Sequence, residues 1–431
     1  MHRSTHDRKA RHRYPRIALW VAGGFAVAAL IWMVVGVPAL VKYPTDLEAS
    51  PQYEGTFTLL VDPATAAPLA QPMEMPLTID RQIEVIGEET GASRALVRET
   101  LAMTAGDIEM TQDHAYVMDR SSLENVADDR AFAFDPANEV DRSGAYRLNL
   151  PFDTSRDETY DVYKNEVDDT YEMAVDADTP TTELEGLDLS NFAGSMDEVP
   201  VSDAYLAELN EVVPLPDELT LDQLEPHLLA AGIDVDAVTA ALTPVLTPED
   251  AATLAEFAAE PIPLEYVYSF DGGAAVEPVT GAEIRVYSSE SVGARPELTS
   301  LPALQEVLGN YPEVPEAAAT SAALDDLAEG PAIPLFAYEY EQTPASVADV
   351  ADTAGGLRNE VLLAKVWLPL GLAGAAVASL IVGGIVYLWR RPRPIETTGR
   401  DEPHPPPRPD KEERELADQR REIVTTGRKP R

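Results

Sequence analysis

The stretch IALWVAGGFAVAALIWMVVGVPALV, residues 17–41, contains no charged residue and decides how this chain is organised. A second uncharged apolar stretch, VWLPLGLAGAAVASLIVGGIVYLW, covers residues 366–389. Each is longer than the ~20 residues that a helix needs to cross the hydrocarbon core of a bilayer. The first stretch is also too long for the apolar core of a signal peptide, and no small-x-small cleavage site precedes Lys42. We therefore predict two uncleaved transmembrane helices, one at each end of the segment between them.

The basic residues outside these stretches predict the orientation in the membrane. Residues 1–16 carry six Lys or Arg side chains and one acid, and three Arg side chains directly follow the second stretch. Because basic flanks stay on the cytoplasmic side, we expect both tails, 1–16 and 390–431, to be cytoplasmic at the cell membrane. Residues 42–365 are then extracytoplasmic. The second tail is charged and Pro-rich, which is typical of disordered chains.

The segment between the two stretches is strongly acidic. It carries 14 basic and 65 acidic side chains, which gives a formal charge of −51. Such a field repels nucleic acids, so a nucleic-acid partner is excluded. The chain has no cysteine, which excludes thiol catalysis, cysteine-ligated zinc and iron–sulfur clusters. It also has no Asn-x-Ser/Thr glycosylation acceptor, which favours a prokaryotic cell-envelope protein.

Two kinds of periodicity predict an α+β fold for the acidic segment. A Leu- and Ala-rich part, 202–260, predicts a helical subdomain inserted between strands, and Thr247 before Pro248 has the pattern of a helix start. Further helices are predicted at 91–106, 300–329 and 344–365, the last running into the second apolar stretch. Alternating apolar and polar residues between turn residues predict antiparallel strands at 53–62, 76–87, 114–120, 131–135, 144–153, 158–163, 170–175, 263–270, 282–289 and 333–343. The predicted fold is a β-rich antiparallel ectodomain with a helical insertion, flanked by two transmembrane helices.

Two similar segments, VDPATAAPL (61–69) and VEPVTGAEIRVY (276–287), share Val, an acid, Pro, any residue and Thr. A duplicated active-site loop and a metal-binding loop are the alternatives to a repeated turn. Proline at the second position of a turn presets φ, and small residues complete the reversal, so we favour the turn. The predicted structural turn residues are Asp62, Pro63, Glu277, Pro278 and Gly281. The carboxylates of Asp62 and Glu277 can cap backbone N–H groups, and Asp62 is better suited to this role than Glu277.

Small residues recur every four positions in the second apolar stretch. Gly371, Ala375, Ser379 and Gly383 form one continuous stripe on a helix face. Small residues in the first stretch, Gly24, Ala28 and Gly36, have similar spacing but are interrupted by Trp32. Because such stripes let helices approach closely in lipid, we predict that the two membrane helices pack together.

Few motifs in the sequence indicate catalysis or the binding of a metal or cofactor. His114 and His227 are the only histidines between the apolar stretches, and neither has a partner at metal-ligand spacing. The sequence has no Gly-x-Ser-x-Gly elbow, phosphate-binding loop or dinucleotide fingerprint, and its acidic runs lack the spacing of a calcium loop. We therefore expect no catalytic residue, metal or cofactor, and no enzymatic activity. A Ser-His-Asp arrangement around His114 is the alternative, and would indicate an envelope hydrolase.

Several segments together resemble an actinobacterial cell-envelope family described as porin PorA-like. They are VPALVKYP (37–44), DRSGAYRLNLPFDTSRDETYDVY (141–163), EGLDLSNF (185–192), VEPVTGAEIRVY (276–287) and YEYEQTPASVADVADTA (338–354). The two-anchor layout is also similar to that of class B scavenger receptors, which carry lipid through an ectodomain tunnel. These resemblances imply a non-enzymatic envelope protein that binds or passes a hydrophobic or lipid ligand, or organises envelope partners. The alternative is a porin or channel subunit, which would require a homo-oligomer or a spanning barrel because the two apolar stretches have no polar stripe.

Overall fold

The computed structural model describes residues 13–62, 67–213, 215–230, 232–297 and 300–389. These residues form two compact units. One consists of residues 13–24 and 375–389, and the other of the described residues from 25 to 374. The predicted tails 1–16 and 390–431 lie almost entirely outside the described residues.

The first apolar stretch is helical, as the sequence predicts. Helix α1, Arg13–Ile31, is followed by a π-helical turn, Trp32–Gly36, and by the short helix α2, Val37–Leu40. The span Ile17–Leu40 is long and apolar enough to cross a membrane. Its side chains are mostly exposed, which suits a helix whose surroundings are lipid.

The described chain contains one antiparallel sheet of fourteen strands. Its order is β6-β5-β4-β3-β2-β14-β13-β12-β10-β8-β7, while β1, β11 and β9 pair at the side with β3, β12 and β10. The strands are β1 Glu48–Ala49, β2 Gln52–Val61, β3 Pro68–Val85, β4 Arg94–Ala105, β5 Ile108–Asp119, β6 Phe132–Phe134, β7 Tyr160–Lys164, β8 Asp169–Val175, β9 Thr181–Leu184, β10 Leu187–Pro200, β11 Glu218–Leu219, β12 Ile262–Glu277, β13 Ala282–Pro296 and β14 Ile333–Gln342. The sheet and its helices confirm the α+β class.

The pairing of β2 with β14 joins the first long strand of the domain to its last strand. Tyr53 lies opposite Gln342 in this ladder, and Thr343 N donates to Gln52 O at 2.8 Å. The segment that follows the first apolar helix therefore lies beside the segment that precedes the last helix. This neighbourhood contains the cavity described below.

The helix predicted at 91–106 is wrong. Residues 94–105 form strand β4, which pairs along its length with β3 and β5. Ala, Leu, Arg and Glu favour a helix in isolation, but the two neighbouring strands satisfy the β4 backbone and bury Val97 and Glu99. Tertiary context overrides local propensity here.

Two further differences concern strands. Residues 187–200 form the long strand β10, which the alternation does not predict, since they contain Gly194, Asp197 and Glu198. Residues 144–153, predicted as a strand, form a loop with a single parallel bridge between Tyr146 and Val162. This loop contacts the β12–β13 hairpin instead of joining the sheet.

The helical part between β10 and β12 consists of four helices, numbered α3 to α6, and the strand β11. The Thr247 hydroxyl accepts a hydrogen bond from Asp250 N at 3.1 Å, so the helix start predicted there is confirmed. Two more helices, α7 and α8, follow β13. The bounds are α3 Asp203–Val212, α4 Leu221–Ala230, α5 Val235–Leu242, α6 Pro248–Ala259, α7 Leu301–Gly309 and α8 Pro315–Glu329.

The chain ends its described part in a continuous helical segment, as predicted. Helix α9, Pro344–Leu362, passes through a π-helical turn, Leu363–Trp367, into α10, Leu368–Trp389. The whole segment Pro344–Trp389 is the second candidate membrane span by length and composition. Its first half packs against the sheet, since Val347, Ala351 and other small residues of α9 are buried against β10 and β13.

Candidate ligand-binding site

The loop of residues 278–281 connects β12 to β13 in a tight hairpin. Glu277 and Ala282 lie opposite each other across it, and Gly281 N donates to Glu277 O at 2.9 Å. The Glu277 carboxylate accepts from Thr280 N at 2.9 Å and from the Thr280 hydroxyl at 2.8 Å. Gly281 has a φ of +73°, which glycine adopts without strain. Glu277, Pro278 and Gly281 thus all lie at the reversal.

The same hairpin holds two other segments against the sheet. Leu150 N donates to Gly281 O at 2.9 Å, and Asp153 N donates to Val279 O at 3.3 Å. The Glu277 carboxylate, 1% exposed, also forms an ion pair at 3.2 Å with Arg358 of α9. The turn therefore fixes the 148–153 loop and α9, both of which line a cavity.

The other Val-acid-Pro segment lies at the end of β2. Val61 pairs with Pro68 at the start of β3, and Asp62 N donates to Ala67 O at 2.9 Å. Asp62 is therefore also next to a reversal between adjacent antiparallel strands. Pro63 lies outside the described residues.

A cavity of about 530 Å³ lies within the larger unit. Its walls come from the end of the first apolar segment, residues 42–51, the strands β2, β3 and β13, the 148–153 loop and α9. At one side Trp32 Nε1 donates to Ala364 O at 2.9 Å. The volume falls in the range of ~300–1,000 Å³ that is usual for small-molecule sites.

Most of the cavity wall is apolar. The larger apolar side chains are Trp32, Leu40, Val41, Leu47, Ile83, Leu148, Phe152, Val286, Val350, Leu357, Val361, Leu363 and Leu368. Charged side chains on the wall are Lys42, Glu48, Arg81, Glu283, Asp349 and Glu360. A ligand in this cavity would contact hydrocarbon over most of its surface and charged groups at a few positions.

Arg81 is the most enclosed of these charged groups. Its Nε donates to Glu99 at 2.6 Å and its Nη1 to the Tyr53 hydroxyl at 3.3 Å. Tyr116 also donates to Glu99, at 2.5 Å. Burial acts to raise the pKa of Glu99, but Arg81 and the nearby Arg147 act in the opposite sense and hold it well below its usual range. The ion pair is therefore charged despite its burial.

A smaller cavity, about 70 Å³, shares part of its wall with the large one. Tyr53, Arg81, Glu283 and Val286 line both cavities. Arg147 and Lys164 line only the smaller one. Lys164 Nζ donates to Glu290 at 3.1 Å, and the same carboxylate accepts from the hydroxyls of Tyr268, Ser288, Tyr338 and Tyr340.

His114 is buried next to this region, and no nucleophile among the described residues is hydrogen-bonded to it. Its Nδ1 accepts from Phe134 N at 3.3 Å, and its ring stacks edge-on against Phe134. No serine or threonine hydroxyl donates to His114 among the described residues. Burial lowers the pKa of His114 to about 3, so the imidazole is neutral. The described chain also has no group of three metal-ligating side chains.

The small-residue stripe of α10 is partly buried. Gly383 is buried, and a side-chain carbon added to it would lie 2.3 Å from Ala18 Cβ of α1. Ala375 and Ser379 are half-buried, whereas Gly371 is exposed. In the first apolar helix the buried small residue is Ala22, and Gly24 and Ala28 are exposed. Gly24 and Ala28 are therefore not part of the contact at Gly383, which involves Ala18 instead.

Sequence reasoning missed Arg81, Glu99, Arg147 and Glu283. A signal for two of them was present: Arg81 stands in phase with the inward-facing Ile79 and Val85 of β3, and Glu99 with Val97 of β4. A charged residue in the buried phase of a strand indicates a buried partner or a site. Arg147 and Glu283 have no comparable signal, because the first lies in a loop and the second directly follows a turn.

Comparison with known proteins identifies one family. The Porin PorA family model matches residues 15–385, which include most of both apolar helices and the whole sheet. No curated protein matches the chain. The chain belongs to the Porin PorA family, and its two long apolar helices make it a membrane protein.

Proposed function

We propose that this protein is a non-enzymatic component of the cell envelope that binds or passes a hydrophobic or lipid ligand through its domain. One observation carries the proposal: the 530 Å³ cavity is mainly apolar and is lined by residues next to both membrane helices. Trp32 and Leu40 belong to one apolar segment, Leu368 belongs to the other, and Leu363 lies just before it. A lipid leaving the bilayer along these helices would meet the cavity without crossing water. In this proposal residues 42–365 are extracytoplasmic and both tails cytoplasmic.

The size and wall of the cavity support a ligand more than a packing defect. Domain interiors are packed densely, with few voids larger than a water molecule. A cavity that is lined by apolar side chains and is this large exposes hydrocarbon to solvent unless something fills it. Filling it with an apolar ligand removes that surface from water and stabilises the complex.

Native mass spectrometry of the full-length protein in mild detergent tests the proposal. We expect co-purified lipid, and we expect Thr353→Trp to reduce the bound fraction several-fold. Thr353 lies on the cavity wall and is exposed, so an indole there occupies the cavity without disturbing the core. Asn359→Trp is the matched control, because Asn359 is exposed on the same helix and is not on the wall.

Two outcomes would overturn the proposal. The wild-type protein could carry no lipid and fail to bind an added fluorescent lipid. Alternatively, Thr353→Trp and Asn359→Trp could carry the same amount of lipid as the wild type, which would place the lipid on the outer surface of the membrane helices.

The second candidate function is a porin or channel subunit. The family description is the observation that favours it. Since α10 contains no charged residue from Leu368 to Trp389, a conducting path would have to come from an oligomer or from a different membrane-spanning barrel. Single-channel recordings from planar bilayers separate the candidates: steady conductance steps from the purified protein would favour the channel, and silent bilayers with lipid-loaded protein would favour the carrier.

A further inference from the structure

The polar end of the large cavity is a buried arginine site. Arg81 lies on the wall shared with the smaller cavity and is 8% exposed. The smaller cavity, about 70 Å³, exceeds the ~15 Å³ that one water molecule requires. A small polar group attached to a molecule in the large cavity therefore has room beside Arg81.

Two buried N–H donors at this place have no hydrogen-bond partner among the described residues. They are Nη2 of Arg81 and Nε of Arg147. Arg81 uses its other two nitrogens for Glu99 and Tyr53. Buried donors are almost always paired in folded proteins, so an unmatched pair of guanidinium donors on a cavity wall indicates a missing acceptor.

The nearby carboxylates Glu99, Glu283 and Glu166 do not supply that acceptor among the described contacts: Glu166 acts on the pKa of Arg147, but its ion pair is with Lys164. Glu99 already accepts hydrogen bonds from Arg81 and Tyr116. Glu283 has no ion pair or hydrogen bond to either arginine among the described contacts. Burial raises its pKa, and the charges of Arg81 and Arg147 oppose that shift. Arg147 therefore keeps a positive charge with no carboxylate within 4.0 Å in the described chain.

We propose that Arg81 and Arg147 bind the anionic headgroup, a carboxylate or phosphate, of an amphiphile whose apolar chain occupies the large cavity. This inference rests on the proposed lipid-binding function and names the ligand class for the same site. The forked guanidinium donors match the oxygens of carboxylates and phosphates. In this complex the apolar wall contacts the hydrocarbon chain of the amphiphile, and the two arginines bind its headgroup.

The charge of the domain decides between a lipid headgroup and a free anion. The segment 42–365 carries a formal charge of −51, which opposes the approach of small anions from solvent. An amphiphile gains from burying its chain, and this gain offsets the repulsion of its head. Free phosphate or acetate has no such gain.

The test compares a fluorescent long-chain carboxylate with its methyl ester on full-length protein in detergent. We expect the carboxylate to bind more tightly than the ester. Arg147→Gln should weaken carboxylate binding about tenfold and change ester binding less than twofold, while Arg147→Lys should retain part of the preference. Arg156→Gln is the matched control, because it removes the same charge from an exposed arginine outside both cavities.

The outcomes separate this inference from the function on which it rests. If both probes bind equally and Arg147→Gln changes neither, the headgroup site is wrong and the carrier function stands. If neither probe binds the wild type, the carrier function itself is wrong. If inorganic phosphate or acetate alone displaces the carboxylate at millimolar concentration, the site binds free anions and the amphiphile is wrong.

A measurement on the wild type covers the case in which Arg147→Gln does not fold. A long-chain carboxylate with a photoreactive diazirine next to its head should label peptides that contain Arg81 or Arg147. Labelling confined to residues 357–368, at the far side of the cavity wall, would show that the head points away from the arginines and would overturn the proposal.

Discussion

At the scale of single residues, Gly281 is required for two separate reasons. Its φ is +73°, and a side-chain carbon there would lie 1.9 Å from Leu150 O. Gly281→Ala should therefore destabilise the protein by at least about 3 kcal/mol, measured by denaturant unfolding. Gly144→Ala is the control: Gly144 has a φ of +84° but open space around it, so we expect a loss of about 1 kcal/mol. Equal losses would show that the approach of Leu150 does not matter.

His114 should make the domain sensitive to mild acid. Burial lowers its pKa in the folded protein to about 3, with Glu99 opposing the shift. Below the ordinary pKa of histidine, about 6.5, the unfolded chain takes up a proton that the folded chain does not. Stability is thus complete above that pKa and falls as the pH falls toward 3, by about 2 kcal/mol between pH 6.5 and pH 5.

Unfolding free energies of the wild type and His114→Gln across this range measure the effect. Gln retains an acceptor for Phe134 N but does not titrate, so the variant should lose less stability between pH 6.5 and pH 5. Glu99 has its pKa lowered by Arg81 and Arg147 against the effect of burial, and its contribution is lost only at lower pH. Parallel curves for the two proteins would contradict the assignment to His114.

At the scale of elements, the sequence predicts those helices and strands that depend only on local pattern. The apolar helices, the capped start at Thr247 and the strands around 263–270 and 333–343 follow from periodicity and turn chemistry. The strand β4 could not be predicted in this way, because its residues favour a helix until β3 and β5 pair with them. The cavity also could not be predicted from the sequence, because segments more than two hundred residues apart form its wall.

The contact between α1 and α10 can be tested at two adjacent glycines. A side-chain carbon at Gly383 would lie 2.3 Å from Ala18 Cβ, whereas Gly384 has nothing within 4 Å. Gly383→Leu should therefore lower the melting temperature of the protein in mild detergent, because the two helices can no longer approach closely. Gly384→Leu should leave it unchanged.

Ala375 lies about two helical turns before Gly383 on the predicted stripe. Ala375→Ile should also lower the melting temperature, but less than Gly383→Leu does, since Ala375 is only half-buried. If Gly383→Leu and Gly384→Leu have the same melting temperature, the small-residue stripe does not mediate helix packing.

At the scale of the whole molecule, positive charge is divided between the two ends of the chain and a few interior positions. Eighteen of the 32 basic residues lie in the two tails. Several of the remainder are buried in ion pairs or on the walls of the cavities, as Arg81 and Lys164 are. The solvent-facing surface of the domain is consequently acidic, which favours solubility and repels anionic macromolecules.

The distribution of these charges predicts that the acidic domain is outside the cell and both tails inside. The native chain has no cysteine, so single cysteines can report on exposure. Asp107→Cys places one at the exposed turn between β4 and β5, and Thr397→Cys places one in the C-terminal tail. With a membrane-impermeant maleimide on intact cells, we expect labelling at 107 at once and at 397 only after permeabilisation. Because basic flanks are retained in the cytoplasm, the reverse pattern would contradict this orientation, and it would also remove the cell-envelope location from the proposed function.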